Sequence, residues 1–254
     1  MIGQRLALML LTAAALTACE TGGGPELRPS SSSPAQRPAI VYAAVGASET
    51  LGVGAKDPLR DAWPQVFYRT ALPRSANFYD FGIPGATVAS ALTDEAPEAL
   101  SVEPTLVTVW LNVNDLIAGV TATAYEGELD QLVHALRRGG AARVMLANTP
   151  WLDRLPVYLG CHAGTPPSGV DCPPALAATS PAELNADVDA YNSAIAQVAQ
   201  REGAILVDLH AQGEVPDTHP DWVSGDGFHP STNGHAAIAA VFAATLKQAA
   251  HNGA

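Results

Sequence analysis

Positive charge, cysteine and aromatic residues are all scarce in this sequence. Its 254 residues include only 13 Lys and Arg against 25 Asp and Glu, which gives a net charge of −12. A chain with so few cations cannot neutralise a run of phosphates, which excludes nucleic-acid binding through the phosphate backbone. Aromatic residues make up only 6% of the chain, so we expect a core built mainly from aliphatic side chains.

What the chain does contain is typical of a globular protein. Apolar residues make up 48% and charged residues 15%, which is too apolar for intrinsic disorder and sufficient for a packed core. The length fits one domain of ordinary size together with some appended sequence.

The first residues have the features of an export signal. A single cation, Arg5, precedes the apolar run Leu6–Leu16, which is too short to span a bilayer. The ending Leu16-Thr17-Ala18-Cys19 resembles a bacterial lipobox, which predicts a signal peptide over 1–18 and lipidation of Cys19. The alternative is an ordinary signal in which the cysteine is incidental. The lipobox predicts an exported lipoprotein at the cell envelope, in contact with the membrane only through its lipid anchor.

A flexible tether is predicted between the anchor and the folded domain. Residues 19–38 are rich in Gly, Pro and Ser and show no apolar periodicity. A chain of this composition gives a reach on the order of 25 Å. We therefore expect the folded domain to cover 39–254.

Export also bears on the other two cysteines. Cys161 and Cys172 lie in a segment rich in Gly and Pro, and an oxidising compartment favours a disulfide between them. The alternative is a zinc site that includes His162 and Asp171, but their spacing matches no standard zinc motif.

Strand and helix patterns alternate through the predicted domain. Short apolar runs predict strands at 39–45, 77–81, 105–111, 143–147 and 204–208. Helical periodicity predicts helices at about 58–72, 87–100, 123–139, 181–202 and 232–250. This alternation predicts a parallel sheet with helices on both sides. The stretch 151–180, which contains several prolines, is predicted as a long irregular loop that borders a binding site.

Polar residues follow the predicted strands, where ligands bind in open α/β sheets. Together they offer a hydroxyl, amide donors, a carboxylate and an imidazole at one edge. The segments concerned are Gly46-Ala47-Ser48-Glu49-Thr50, Ile83-Pro84-Gly85-Ala86-Thr87, Asn112-Val113-Asn114-Asp115 and, before the last helix, Asp226-Gly227-Phe228-His229.

These four segments resemble the conserved blocks of the SGNH/GDSL hydrolase family. The resemblance covers the predicted domain and implies a flavodoxin-like, three-layer αβα sandwich with a five-stranded parallel sheet. It implies that Ser48 is the nucleophile, His229 the base and Asp226 the residue that orients the base. It also implies an oxyanion hole formed by the backbone N–H groups of Ser48 and Gly85 and the side-chain amide of Asn114.

The sequence departs from the family pattern at three positions. Ala47 and Glu49 stand where Gly-Asp-Ser-Leu has Asp and Leu. Asn112 stands where the third block usually has Gly, and we expect this turn to survive because Asn tolerates left-handed backbone.

The resemblance implies an ester hydrolase that works through an acyl-enzyme without a cofactor or metal. Its partner would be a small-molecule, lipid or O-acetyl sugar ester, and we expect a monomer. The alternative is a catalytically inactive lipoprotein of the same fold that serves as a binding or structural module.

Other interpretations of single residues are also available. Ser48 would suit a helix N-cap, and Asn114 or Asp226 would suit a turn. A metal site is the alternative for an acidic and histidine-containing segment that holds Asp217, His219, Asp221, Asp226 and His229. Further candidates for the site's border are Trp110, Trp151, Trp222, Asn148, Asp153 and Asp208.

Overall fold

A computed structural model describes residues 40–170, 172, 177–212 and 215–253. The predicted signal peptide over 1–18, the lipidation site at Cys19 and the tether that ends at residue 38 lie outside these residues. In the part of the chain that is described, no helix combines the length and the apolar character needed to cross a membrane.

The centre of the fold is a parallel sheet of five strands in the order β2-β1-β3-β4-β5. The strands are β1 (Val41–Gly46), β2 (Asn77–Asp80), β3 (Leu106–Trp110), β4 (Arg143–Ala147) and β5 (Ile205–Val207). Each lies within about two residues of its predicted position. The parallel sheet expected from strand–helix alternation is therefore confirmed.

Helices connect the strands and cover both faces of the sheet. In chain order they are α1 (Ser48–Leu51), α2 (Pro58–Asp61), α3 (Trp63–Ala71), α4 (Val88–Thr93), α5 (Glu95–Ser101), α6 (Val113–Ile117), α7 (Ala122–Leu136), α8 (Pro156–Ala163), α9 (Pro181–Glu202), α10 (Val215–Thr218) and α11 (Thr232–His251). Short 3₁₀ turns lie at Arg138–Gly140, His210–Gln212 and Pro220–Trp222.

Alternate residues of β1, β3, β4 and β5 enter two separate cores, which makes the fold a three-layer sandwich. In β1, Ala43 and Val45 pack in the core that includes α4, α5, α7 and α9. Tyr42 and Ala44 pack in the opposite core, against α3 and α11. This two-residue alternation follows from strand geometry, and burial on both faces explains why β1 and β3 are continuously apolar.

Two of the predicted helices are each broken in two by a proline. Pro64 has no N–H to donate to Arg60, so the helix predicted at 58–72 divides into α2 and α3 around Ala62. Pro97 likewise cannot donate to Thr93, so α4 ends there and α5 begins two residues later. In both cases the proline lies in the first turn of the second helix, where a missing N–H costs nothing.

The prediction of an irregular loop over 151–180 is wrong in part, because α8 lies within this stretch. The buried residues Val157, Tyr158 and Cys161 line the inner side of this helix. Cys161 forms a disulfide with Cys172, so the bond joins α8 to the segment that follows it. The apolar spacing of this helix is short and interrupted by Gly160, which is why periodicity does not predict it.

Candidate active site

The predicted site lies where β1 and β3 are neighbours at the centre of the sheet. Gly46, which ends β1, pairs with Trp110, which ends β3. After β1 the chain runs to β2, which lies on one side of β1, and later returns to β3, which lies on the other side. The connections that follow β1 and β3 therefore diverge and leave a crevice between them. Ser48 and Asn114 follow these two strand ends directly, so both belong to the same crevice.

A tight turn after β1 places Ser48 at this edge. A Cβ atom at Gly46 would overlap the side chain of Thr50 and the carbonyl oxygen of Trp110, so the turn requires glycine. Ser48 is the first residue of α1 and is 8% exposed. The helix N-cap is Ala47, so the interpretation of Ser48 as an N-cap is wrong.

The hydroxyl of Ser48, the imidazole of His229 and the carboxylate of Asp226 form a continuous chain. Nε2 of His229 lies 3.0 Å from Oγ of Ser48, although the two residues are 181 positions apart. Nδ1 of His229 lies 2.6 Å from Oδ2 of Asp226. With its proton on Nδ1, the imidazole donates to Asp226 and leaves Nε2 free to accept the hydrogen of Ser48.

Asp226 is held by more donors than the imidazole alone. Its Oδ1 accepts hydrogen bonds from the Ser224 hydroxyl at 2.7 Å and from the backbone N–H groups of Phe228 at 2.8 Å and His229 at 3.0 Å. Burial by itself would raise the pKa of Asp226, but the hydrogen bonds from His229, Phe228 and Ser224 outweigh it and lower that pKa below its usual value. Asp226 is therefore a charged, fixed acceptor for His229.

The loop that carries His229 is braced by backbone contacts. Ser224 N–H donates to the carbonyl of His229 at 2.8 Å, and Val223 forms an isolated antiparallel bridge with Pro230. Gly54, in the segment after α1, packs so closely that a Cβ there would overlap the Pro230 carbonyl. These contacts fix the imidazole relative to the segment that carries Ser48.

Gly85 and Asn114 belong to segments that are joined by a hydrogen bond. Gly85 has φ +80°, a left-handed conformation that favours glycine, and the space beside its Cα is open. The Asn114 amide donates to the carbonyl of Ala86 at 2.9 Å, which joins it to the loop of Gly85. Only one of its two amide hydrogens is used in this bond. Within the described residues, the backbone N–H groups of Ser48 and Gly85 form no hydrogen bond to other backbone groups.

Asn112 does not use the left-handed conformation that we expected of it. Its φ is −163°, which is not left-handed, so this turn does not depend on the tolerance of Asn for positive φ. Asn112 is buried and precedes α6, whose first turn contains Asn114. Asn114 is therefore held by a helix, and its interpretation as a simple turn residue is wrong.

Asp115 connects the third block to the second. This buried carboxyl accepts the N–H of Val88, the first residue of α4, at 3.0 and 3.2 Å. Burial, only partly offset by this hydrogen bond, raises its pKa to about 6. Asp115 thus anchors the helix of Asn114 to the loop that contains Gly85.

A family model described as the GDSL-like Lipase/Acylhydrolase family matches residues 44–237. The chain belongs to this family. It is therefore a carboxylic ester hydrolase, as the four sequence blocks indicated. No curated protein matches the chain.

Solved structures of GDSL-type enzymes have the same fold. The lipase/acylhydrolase from Enterococcus faecalis has a TM-score of 0.62 and 18% identity, over 82% of this chain and 96% of that one. The psychrotrophic esterase EstA from Pseudoalteromonas sp. has a TM-score of 0.57 and 17% identity, over 82% and 97%. A variant of the acetyl-xylooligosaccharide esterase Axe2 from Geobacillus has a TM-score of 0.58 and 17% identity, over 81% and 93%. At these identities the likeness shows the fold, which confirms the expected αβα architecture of the family.

A large apolar groove of about 760 Å³ adjoins the crevice in this GDSL-family chain. Trp110, Trp151 and Trp222, which were predicted at the site's border, all line it. Its other apolar walls are built by the loop after β4, the segment after β5, the loop before α11 and one face of α11, including Leu152, Leu155, Leu209, Phe228, Ile238 and Val241. A groove of this size and lining is typical of sites that bind apolar ligands.

Glu49 is a site residue that the sequence marked only as a departure from the family pattern. Its Oε2 lies 3.3 Å from Oγ of Ser48, slightly farther than Nε2 of His229 at 3.0 Å. Glu49 also lines the groove. It therefore lies between the Ser48 hydroxyl and the apolar walls.

Glu95 is a second site residue that sequence reasoning missed. It is 1% exposed, and its Oε2 accepts the N–H of Gly46 at 2.8 Å, directly before the turn to Ser48. Burial is the main reason that its pKa is raised from 4.5 to about 8, and the nearby Asp80 and Asp94 add to it. Glu95 thus holds the end of β1 as a neutral acid at neutral pH.

Replacing Glu95 with glutamine is expected to stabilise the chain increasingly as the pH rises from about 4.5 to about 8. Because the folded state raises this pKa, Glu95 supports folding fully below pH 4.5, and that support is lost as the pH rises through about 8. The free energy of unfolding of Glu95→Gln minus that of the native chain should be about 2–5 kcal/mol larger at pH 9 than at pH 5. Urea unfolding at both pH values measures this difference. Glu98→Gln, on the exposed side of α5, should show no such change.

The other predicted border residues mainly hold the ends of β4 and β5 together. Asn148 donates to Asp208 at 2.8 Å and accepts the N–H groups of Leu209 and His210. Asp208 also lines the groove, whereas Asp153 accepts a hydrogen bond from Asn185 at 3.1 Å. Asn148 and Asp153 therefore have structural contacts in this fold.

The alternative metal site does not form among the described residues. Within residues 215–253 and the rest of the described chain, no group of three or more His, Cys, Asp or Glu side chains is arranged to hold a metal ion. Asp226 and His229 instead contact each other, and Asp221 accepts from Asn233.

Proposed function

We propose that the chain hydrolyses esters through an acyl-enzyme formed on Ser48, with His229 as the base and Asp226 as the residue that orients it. The hydrogen-bonded chain from Ser48 through His229 to Asp226 is the observation that carries this proposal. A serine hydroxyl is a weak nucleophile until a neutral imidazole accepts its proton. The same three residues also argue against an inactive binding module, which would have no use for this arrangement.

In the first step, Oγ of Ser48 attacks the ester carbonyl carbon while its proton passes to Nε2 of His229. Asp226 stabilises the imidazolium that forms and keeps the proton on Nδ1. The tetrahedral intermediate then collapses, the bond to the alcohol oxygen breaks, and this oxygen leaves with the proton from Nε2. The products are an ester of Ser48 and the free alcohol.

In the second step, water repeats the sequence on the Ser48 ester. His229 takes a proton from the water as its oxygen attacks the acyl carbon, and the Ser48 oxygen leaves with that proton. The carboxylic acid is released and the enzyme returns to its starting state. Negative charge develops on the carbonyl oxygen in both steps, where the N–H groups of Ser48 and Gly85 and the amide of Asn114 would stabilise it.

Substrates with a large apolar group suit the groove best among the three expected ester classes, which are short acyl esters, lipid esters and O-acetyl sugars. The groove walls beside Ser48 are mainly tryptophan and aliphatic side chains. Sugar hydroxyls would lose hydrogen bonds to water against such walls without gaining equivalent partners.

A panel of esters tests this function on the purified chain. We expect hydrolysis of p-nitrophenyl acetate, and a higher kcat/KM on acetate esters of a large apolar alcohol, such as 1-naphthyl acetate, than on acetylated xylan. A preference for acetylated xylan would contradict the assignment of the groove. Absence of hydrolysis on every ester would contradict the function itself.

The location of the chain is a separate proposal that rests on the sequence alone. The lipobox-like ending before Cys19 supports an exported lipoprotein, which the tether would hold near a membrane. Metabolic labelling with a palmitate analogue should mark the chain, and Cys19→Ser should remove the label. Unchanged labelling of that variant would exclude Cys19 as the anchor.

A further inference from the structure

Glu49 places a carboxyl at the end of the groove where the reaction takes place. Its carboxyl lies 3.3 Å from the nucleophilic oxygen of Ser48 and also lines the groove. A group that a substrate extends from its ester bond into the groove must therefore pass this carboxyl. Leucine, the family residue at this position, would present an apolar side chain instead.

The described residues that line the groove supply no cationic partner for the carboxyl of Glu49. Among the described residues that line the groove there is no Lys, Arg or His. Burial is the main reason that the pKa of Glu49 is raised, while the titratable groups that face it, His229 and Asp226, act in opposite directions. A carboxylate in apolar surroundings gains from a cationic partner, and a bound substrate is able to supply one.

Aromatic side chains in the same groove favour one kind of cation. Trp110, Trp222 and Phe228 line the groove together with Glu49. The faces of aromatic rings attract cations, and quaternary ammonium groups are the ligands that most often use this interaction. Their methyl groups also fit apolar walls better than a strongly hydrated primary ammonium does.

The proton path indicates which part of the ester enters the groove. The leaving alcohol oxygen must receive its proton from Nε2 of His229, so the alcohol part lies on the His229 side of Ser48. Phe228 packs edge-on against the His229 ring with a centroid distance of 4.8 Å and lines the groove. The alcohol part is therefore the part directed toward the groove.

We propose that this site selects esters whose alcohol part carries a quaternary ammonium group, held by Glu49 and the aromatic walls of the groove. The proposal rests on the proposed serine esterase function. The net charge of −12 would also attract a cationic substrate from a distance.

Two esters that differ only in charge provide the test. Acetylthiocholine and 3,3-dimethylbutyl thioacetate have the same shape, with nitrogen in one replaced by carbon in the other, and both release a thiol that is measured directly. For the full chain at pH 8, we expect kcat/KM to be about tenfold or more higher for the cationic ester. In Glu49→Gln and Glu49→Leu, the ratio of kcat/KM for the cationic ester to kcat/KM for the uncharged ester should fall about tenfold. Glu98→Gln, which removes the same charge from an exposed site, should keep the native ratio.

Two measurements on the native chain keep the test independent of how the variants fold. Tetramethylammonium should inhibit hydrolysis of the uncharged ester competitively. KM for the cationic ester should fall as the pH rises and Glu49 ionises, while KM for the uncharged ester should not follow the same course.

The outcomes separate this proposal from the function on which it rests. Equal kcat/KM values for the two esters in the native chain would overturn the proposal. An equal loss of kcat/KM on both esters in Glu49→Gln would also overturn it, because Glu49 would then act on Ser48 or His229 and not on the substrate cation. Ser48-dependent hydrolysis of p-nitrophenyl acetate without charge preference would overturn this proposal alone. Hydrolysis of no ester would overturn both.

Discussion

Replacing Ser48 with alanine is expected to lower kcat/KM for p-nitrophenyl acetate by about 10⁴- to 10⁶-fold while the chain remains folded. Without Oγ no acyl-enzyme can form, and the imidazole of His229 has no hydroxyl to deprotonate. Residual hydrolysis would come from substrate binding and from the oxyanion donors alone. Steady-state kinetics at substrate concentrations around KM, together with the thermal unfolding midpoint, measure both parts of this expectation.

Ser101→Ala is the matched control for this variant. Ser101 is exposed on the last turn of α5, and its hydroxyl donates to the carbonyl of Glu98. Its loss should leave kcat/KM within about twofold, because surface substitutions of this kind change little. Ester hydrolysis that survives in Ser48→Ala at the native rate would remove Ser48 from the mechanism.

Replacing Asp226 with asparagine is expected to lower kcat by about 10⁴-fold, the loss known for the equivalent change in a serine protease. Asparagine is close in shape, but its amide is able to donate to Nδ1 of His229 where the carboxylate only accepts. The imidazole then carries its proton on Nε2 and has no free nitrogen for the Ser48 hydrogen. KM should change much less than kcat, because Asp226 does not contact substrate in this account.

Asp221→Asn provides the control for the same change of charge nearby. Asp221 is exposed and accepts a hydrogen bond from Asn233 at 3.0 Å. We expect a change of less than about threefold. Equal losses in Asp221→Asn and Asp226→Asn, with activity restored by a divalent cation, would favour a metal site over the Ser48–His229–Asp226 arrangement.

The sequence predicted the parts of the fold that depend on local pattern. Strands such as β1 and β3 are continuous apolar runs because both faces are buried, and α9 begins at a Ser180–Glu183 capping box that is visible in the sequence. The broken helices show the limit of periodicity: apolar spacing continues through Pro64 and Pro97, although the backbone hydrogen bonds do not.

The same limit applies to the site. Asp226 and His229 are separated by three positions, so their pairing is a local motif, and the strand ends predict that Ser48 and Asn114 are close. The contact of Glu95 with Gly46 joins residues 49 positions apart and depends on how α5 packs on β1. The groove likewise depends on packing between α11 and the loop after β4, which no local signal encodes.

The most direct test of the central claim is to react the chain with a fluorophosphonate ester and locate the adduct by peptide mass spectrometry. The account predicts one phosphonyl group on Oγ of Ser48, rapid labelling of the native chain, much slower labelling of Asp226→Asn and none of Ser48→Ala. An adduct on a different residue, or a native chain that stays unlabelled while it hydrolyses p-nitrophenyl acetate, would contradict it.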